Sequence, residues 1–470
     1  MSTLTLNVAE FLASLNPAEI PSRCREAARA GMTDCVGVMI AGAQEPAVKL
    51  VAAIAASAAG CDSAPQIPSG RMLTVADAAL VNGVAGHVLD FDDVGIDGHP
   101  SAVLTPAILA AGWMLNSSGE EALAAYVAGY EVWALINELE PGHLHERGFH
   151  PTAVTGALAS AAACATLYRL DVQRCSHAIA IAASLGAGLV GNFGTMTKSL
   201  HSGRAAQAGI IAARLAQSGF TAAPDALEHK TGFMRAHSPS GMPDLEREDW
   251  GLGSSWRLER EGIHIKRYPT CYATHRSIDA MLALAEEHDL APDQVEEIKV
   301  HTGKNQRLML RNHAPKTGLE AKFSMEFAMA SALVSRRVGL AELTDEYVRR
   351  PDIKATMAKV TCTTTEETLP GLPFAPEDNL SIHIKNGQIL VHDPVSHAKG
   401  SWQRPLSKDE HKVKFMDCCV GPLSEPQAAQ LFSALNSLGE LSSLQELPLS
   451  FPDRAIRKND DSKEDKTHHE

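Results

Sequence analysis

Aromatic side chains are scarce, at 5% of 470 residues, and no apolar run is long enough for a membrane span. With 45% hydrophobic residues the chain still has the material for a core. The shortage of rings beside so many Ala residues therefore points to closely packed helices rather than to disorder. Positive charge is short as well: 42 Lys and Arg against 56 Asp and Glu leave a net charge of −14. That balance repels phosphate backbones and anionic bilayers, which argues against nucleic acid or a membrane as partner. A few cations can still make one pocket positive, so a small anionic substrate fits.

Cysteine pairs are missing too. The nine cysteines are scattered, none in a C-x-x-C arrangement, and Cys418-Cys419 are adjacent, a spacing that rarely closes a disulfide. A reducing compartment suits them, and the expected location is cytoplasmic, with an organellar matrix as the other option. The opening MSTLTLNVAEFLASLNPAE has neither the cationic segment nor the long apolar stretch of a secretion signal. It reads as an amphipathic helix closed at Asn16-Pro17, and the sequons at Asn116 and Asn379 then carry no weight.

What is present is length enough for two or three domains, at roughly 100 to 200 residues each. From about residue 20 to 235, apolar residues recur at helical spacing between Gly, Pro and short polar runs. Candidate helices are Val75 to Leu89, Ala102 to Leu115, Glu120 to Leu139, Thr152 to Leu170, Cys175 to Val190 and Ala205 to Ser218. They are apolar on all sides, so the central ones are expected to be buried or at a subunit interface. After about Arg267 the texture changes: Val295 to His301 and Lys359 to Thr364 alternate like strands, and Asn386-Gly387 between alternating runs from Leu380 to Val391 signals a hairpin. Helices Ile278 to Glu287 and Met325 to Ser335 flank the first strand, and Phe415 to Leu447 returns to helical periodicity. The predicted class is mainly α. A large helical domain takes residues 1–266 and 405–452, a smaller α+β domain 267–404, and a solvated tail 453–470.

Three motifs suggest cofactors and fail on context. Gly186-Ala187-Gly188-Leu189-Val190-Gly191 matches the dinucleotide fingerprint G-x-G-x-x-G. It follows an Ala-rich helix instead of a strand, and no acidic residue occurs between Asp171 and Asp225, so a tight helix-packing turn is the better reading. GNFGTMTKS at 191–199 resembles a P-loop, but Thr197 precedes Lys198 where Gly is needed. His143, His145, Glu146 and His150 crowd together without an H-E-x-x-H or Cys/His framework, which leaves a polar loop as the default and no metal site.

The chemistry concentrates elsewhere. His99-Pro100-Ser101 and His150-Pro151-Thr152 each open an Ala-rich helix with proline in the first turn, placing a histidine just outside an N-terminus. The N–H groups there attract a carboxylate and disfavour imidazolium, so the histidines serve either as neutral acid-base groups or as ordinary caps. Asp90-Phe91-Asp92-Asp93 follows a helix and precedes His99 by a short loop, fit to orient the imidazole or to act itself, unless it only caps. Lys198 lies just before a Ser199 to Gly203 turn into another helix, and Lys266 lies in IHIKRYP at the domain change. As surface residues they would mean nothing; beside apolar helices they can bind two carboxylates and stabilise enolate-like charge.

LDFDD with GHPS downstream, GFHPTAVTGALASAAA, GTMTKSLHSGRAAQAG, KRYPTCYATHRSIDA and EAKFSMEFA stand in the order found in the MmgE/PrpD family, which this chain resembles from about residue 10 to 440. The family includes 2-methylcitrate dehydratase, cis-aconitate decarboxylase and iminodisuccinate epimerase. The resemblance implies an all-helical domain with an α+β lid, a homodimer, no cofactor, and a site between the domains for small di- or tricarboxylates. Carried over motif by motif, the catalytic residues would be Asp90, His99, His150, Lys198 and Lys266, with Arg267, Cys271, Tyr272, His275 and Phe327 on the substrate.

The departures bear on the reaction. The loop from Asp93 to His99 is shorter than in the resembled decarboxylase, and Val94 stands where that enzyme has threonine. Cys271 replaces a histidine and Phe327 a tyrosine. Two proton donors are gone, which argues against decarboxylation of cis-aconitate specifically; Tyr272 or His275 would have to replace one of them. The leading expectation is a cofactor-independent lyase acting by proton transfer next to a carboxylate. An epimerase is the close alternative, because it needs a base on each face of one carbon and no acid for a leaving group. A catalytically silent carboxylate-binding or scaffold protein is the rival of another class.

Overall fold

The computed structural model describes residues 3–60, 62–247, 249–369 and 374–451; the tail expected at 453–470 lies outside them. It is mainly α with a small mixed sheet. The chain divides into two compact units, Met1–Ile263 with Glu410–Glu470, and His264–Asp409. No single helix among the described residues is long and apolar enough to cross a membrane.

In the first unit, helix α1 (Leu4–Ser14) stops ahead of Asn16, whose side chain accepts from the Ala18 N–H at 3.1 Å. There follow α2 (Ser22–Gly42), α3 (Val75–His87), α4 (Pro100–Leu115), α5 (Gly119–Glu138), α6 (Pro151–Leu167), α7 (Val172–Ala183) and α8 (Met196–Gln217). Proline at the first position starts α4 and α6. Helix α6 packs against α4, α5 and α8, and α3 against α4 and α8. Every residue from Pro100 to Gly112 and from Pro151 to Ala165 is buried, which is why neither helix carries a polar stripe. Of the few aromatics, Tyr126, Tyr130 and Trp133 are fully buried on α5.

Helices α3 and α8 cross where two glycines meet. A Cβ on Gly83 would lie 2.7 Å from the Gly203 Cα, and one on Gly203 would lie 2.3 Å from the Leu80 carbonyl oxygen. Only glycine permits that approach. Two sequence expectations are corrected here. Ser199 to Gly203 is not a turn: α8 already starts at Met196, with Thr195 accepting from the Thr197 N–H, and Gly203 serves the crossing. The helix expected to reach Val190 ends at Ala183, because the chain past it must fit against α6, where a Cβ on Gly186 would sit 2.6 Å from the Val154 carbonyl oxygen.

The second unit carries α9 (His275–Glu287) and α10 (Met325–Ser335) with a four-stranded sheet. Two short strands of the first unit are β1 (Ser63–Pro65) and β2 (Met72–Thr74), and those of the sheet are β3 (Val295–Gly303), β4 (Val360–Thr365), β5 (Asn379–Ile384) and β6 (Ile389–Val391). The order is β4-β3-β5-β6, with β3 parallel to β4 and antiparallel to β5. The Asn386-Gly387 hairpin joins β5 to β6, Gly387 at φ 89°. Ile298, Val300, Leu380 and Ile382 pack with Ile278, Met281 and Leu284 of α9 and Met325 and Met329 of α10. The chain then re-enters the first unit through α11 (Lys408–Cys419) and α12 (Glu425–Asn436), and α12 packs on α2.

Candidate functional site

The site is built from the ends of four helices in the first unit. Where α3 stops at His87, the chain turns through Asp90, at the left-handed φ of 54°, into a buried Phe91-Asp92-Asp93. Lys414 on α11 fixes this loop from below. Its Nζ donates to the Phe91 carbonyl at 2.9 Å and to Asp34 Oδ2 at 2.8 Å, all buried. Asp93 takes over the start of α4: Oδ1 accepts from the Ser101 N–H at 3.2 Å and Oδ2 from the Ser101 hydroxyl at 2.7 Å. His99, at the N-cap position, makes no side-chain capping bond, so its ring is available for other partners. Burial pushes the Asp93 carboxyl up to about 8, against the Ser101 hydrogen bonds and with help from the neighbouring charge of Asp92.

His99 Nδ1 lies 2.9 Å from Asp92 Oδ2 and 2.9 Å from the Asp93 carbonyl oxygen. His87 Nδ1 reaches the same Asp92 Oδ2 at 2.8 Å, and the two rings meet edge to face with centroids 4.5 Å apart. Burial opposes the charge of Asp92, but the imidazoles beside it hold its carboxyl well below the usual range. His87 is lowered to about 4 by burial, with Lys198 and His99 adding to it and Asp92 resisting.

His150 is the N-cap residue of α6, and it too makes no side-chain capping bond. Its ring lies 5.8 Å from His87 and 4.8 Å from Phe193, and its Nδ1 is 3.1 Å from Nδ1 of His201 on α8. Burial, with His87, Lys198, His99 and His201 around it, drives its pKa far down, so the ring is neutral. One turn before His201 on α8, Lys198 Nζ pairs with Asp90 Oδ1 at 2.8 Å and stands 5.5 Å above the Phe193 ring. The glycine run set aside as a cofactor loop acquires a packing role here. The Gly188 carbonyl accepts from the His150 N–H at 3.0 Å, and a Cβ on Gly188 would lie 2.5 Å from the Ala153 Cβ and 3.1 Å from the His201 ring.

Asp90, His99, His150 and Lys198 are thus drawn to one cluster. Sequence reading missed His87, Asp92 as a separate actor, His201 and Phe193. The i, i+3 spacing of Lys198 and His201, which puts both on one helix face, was a usable signal. His143 and His145 face Asp97 at 3.7 and 3.6 Å instead of joining a metal set with Glu146. His87, Asp92 and His99 do place ligating atoms within 4.8 Å of one another and could hold a cation. Both Nδ1 atoms point at oxygens that only accept, however, so each carries a proton where a metal needs a lone pair.

The other expected residues belong to the second unit. Lys266 is buried, at 1% exposure. Arg267 lies over the Tyr268 ring at 5.5 Å and 3.7 Å from Asp279, which also accepts from the Tyr268 hydroxyl at 2.7 Å. The Cys271 N–H donates to the Lys322 carbonyl at 2.8 Å. Tyr272, its hydroxyl pushed up by burial, lies 5.0 Å from the ring of His275, which is fully buried with Nε2 3.3 Å from the Thr270 carbonyl. Phe327 is a core residue, packed with Ala321, Val348 and Ile353 and edge-on to Tyr347.

The same arrangement of motifs is matched by two domain families. The MmgE/PrpD N-terminal domain covers residues 7–246, and the MmgE/PrpD C-terminal domain covers 268–437. The chain belongs to the MmgE/PrpD family. Among curated relatives, the cis-aconitate decarboxylase of Homo sapiens is 29% identical over 378 residues, 77% of this chain and 76% of the relative. That of Mus musculus is 28% identical over 380 residues, with the same shares of 77% and 76%. The cis-aconitate decarboxylase of Aspergillus terreus is 25% identical over 471 residues, 95% of this chain and 96% of the relative.

Proposed function

We propose that this MmgE/PrpD chain is a cofactor-independent lyase for a small di- or tricarboxylate, acting by proton transfer next to a carboxylate. The observation that carries the reading is the Asp90–Lys198 pair, 2.8 Å apart, set among His87, His99 and His150 at the ends of α3, α4, α6 and α8. Relatives that bear the name of a decarboxylase along most of their length support the lyase class.

In this reading Lys198 exchanges Asp90 for a substrate carboxylate, or shares itself between them, and holds the enolate-like charge that forms. Such fixed electrostatic stabilisation is usually the largest single contribution to the rate. His99 or His150 takes or returns the proton. In a dehydration the base removes the proton beside the carboxylate, the C–O bond breaks, and the proton is handed to the departing hydroxide, which leaves as water. In a decarboxylation CO2 departs and a proton returns to the carbon it left. Lys266 is assigned to a second carboxylate from its sequence motif, and a homodimer, testable by light scattering, is part of the same proposal.

The experiment offers the purified protein methylcitrate, citrate, cis-aconitate and related acids, and follows alkene absorbance and CO2 release. One acid should turn over, with Lys198→Met and His99→Gln each lowering kcat at least about 100-fold, the low end for acid-base groups. No alkene and no CO2 from any acid would remove the lyase reading. An epimerase is the second reading. It is favoured by Phe327, a core side chain that brings no proton where the resembled decarboxylase has a phenol, and it would exchange the substrate hydrogen for solvent deuterium without forming an alkene.

A further inference from the structure

We infer that Asp92 is the positioning residue of the site: through a single oxygen it holds the rings of both His87 and His99 and leaves Nε2 of His99 as the atom that moves the proton. The inference rests on the lyase reading and deepens it by naming the base.

His99 Nδ1 faces Asp92 Oδ2 and the Asp93 carbonyl oxygen, both at 2.9 Å. A backbone carbonyl can only accept, and so can an ionised carboxylate, so Nδ1 must carry the hydrogen. With that atom committed, only Nε2 of His99 can take a proton from a substrate. His87 Nδ1 donates to the same Oδ2 at 2.8 Å by the same logic. His150 has no such obligate acceptor: its Nδ1 faces another imidazole nitrogen, that of His201, and either ring can be the donor. The structure therefore separates two histidines that look alike in the sequence, each before a proline at a helix start.

The cost of the arrangement supports a role beyond packing. Asp92 is fully buried, and among the described residues its other oxygen, Oδ1, has no hydrogen-bond partner; nor does Nε2 of the buried His87. Two unsatisfied polar atoms in one buried dyad destabilise the fold. An apolar pair of the same size would avoid that cost. What the dyad provides is a fixed negative charge behind His99, which stabilises the imidazolium that forms when Nε2 accepts a proton. Asp90, Lys198, His150, the Asp93 carboxyl, Cys35 and Asp34 are among the other ionisable groups around it.

The test uses full-length protein labelled with 15N-histidine, at neutral pH. Imidazole N–H protons are recorded through their one-bond coupling to nitrogen, with His87 and His99 assigned by the signals lost in His87→Gln and His99→Gln. The expected spectrum has protons on Nδ1 of both rings, strongly downfield from the shared carboxylate. In Asp92→Asn, which keeps the shape and removes the charge, both signals move upfield together, and kcat falls about 100-fold with KM within a few-fold. A proton on Nε2 alone of either ring overturns the inference, as does a folded Asp92→Asn protein in which only one signal moves or kcat is unchanged. If Asp92→Asn does not fold, the wild-type spectrum decides alone. Because that spectrum needs no substrate, a silent panel of acids counts against the lyase reading and leaves the clamp to be judged by its own signals.

Discussion

Asp92 and Asp93 are neighbours in the chain, both fully buried, and are held in opposite protonation states. Two imidazoles keep the first ionised, whereas burial holds the proton of the second to about pH 8. Pairs of groups pushed apart in this way mark acid-base sites. They also leave a signature in stability. An unfolded aspartate releases its proton at about pH 4. Between that pH and about 8 the folded state therefore binds a proton that the unfolded state does not, and stability falls as pH rises through the window. Asp93→Asn removes this dependence. Its melting temperature, relative to wild type, should rise between pH 5 and pH 8, by about 1 °C for each 1 kcal/mol in a chain of this length; parallel curves would contradict the assignment. His99, His150, Lys198 and Asp90 were legible in the sequence because each sits in a motif with its own local logic. His87, Asp92 and His201 were not, because their value lies in contacts between helix ends that no local spacing reports.

Helix starts were the most legible elements, and glycines the least. Proline at the first position marked α4 and α6, so His99 and His150 could be placed at once. The stretch after α7 reads as a tight helix-packing turn rather than a nucleotide loop, and the structure agrees, whereas Gly203 of α8 reads as part of a turn. The use of these glycines is close approach, which depends on the partner helix. Gly188→Ala tests this: its Cβ would press on Ala153 and the His201 ring. Overpacking of this kind costs about 1–3 kcal/mol, and displacement of His201 should lower kcat more than it raises KM. Unchanged kcat would detach His201 from the reaction. The C-terminal helix α11 makes a second element-scale case. Lys414 spans 380 residues of sequence to reach Asp34 and carries the Phe91 carbonyl with it. Breaking such a buried pair by Lys414→Met should destabilise the protein by about 3–5 kcal/mol in urea unfolding, and Asp34→Leu with Lys414→Met together by much less. Equal losses for the single and double variants would show that the pair is not the contact that matters.

At the scale of the molecule, composition announced a helical protein with few rings and an acidic surface, and the change of periodicity after Arg267 announced a sheet. The strand at 295, the parallel partner near 360 and the Asn386-Gly387 hairpin all follow from alternation and turn chemistry. The acidic balance gives the Lys198 cluster its meaning: on a chain of net charge −14, a half-buried cation among neutral imidazoles is a selective place for a carboxylate. The central claim is that this cluster moves a proton on the carbon beside that carboxylate. Its most direct test is proton NMR of the protein in D2O with a mixture of small di- and tricarboxylates. The account expects one acid to gain vinyl signals or to take up deuterium beside its carboxylate, and expects both changes to vanish in His99→Gln and Lys198→Met. Spectra that stay unchanged with wild-type protein, for acids shown by calorimetry to bind, would contradict it and leave a carboxylate-binding protein without turnover.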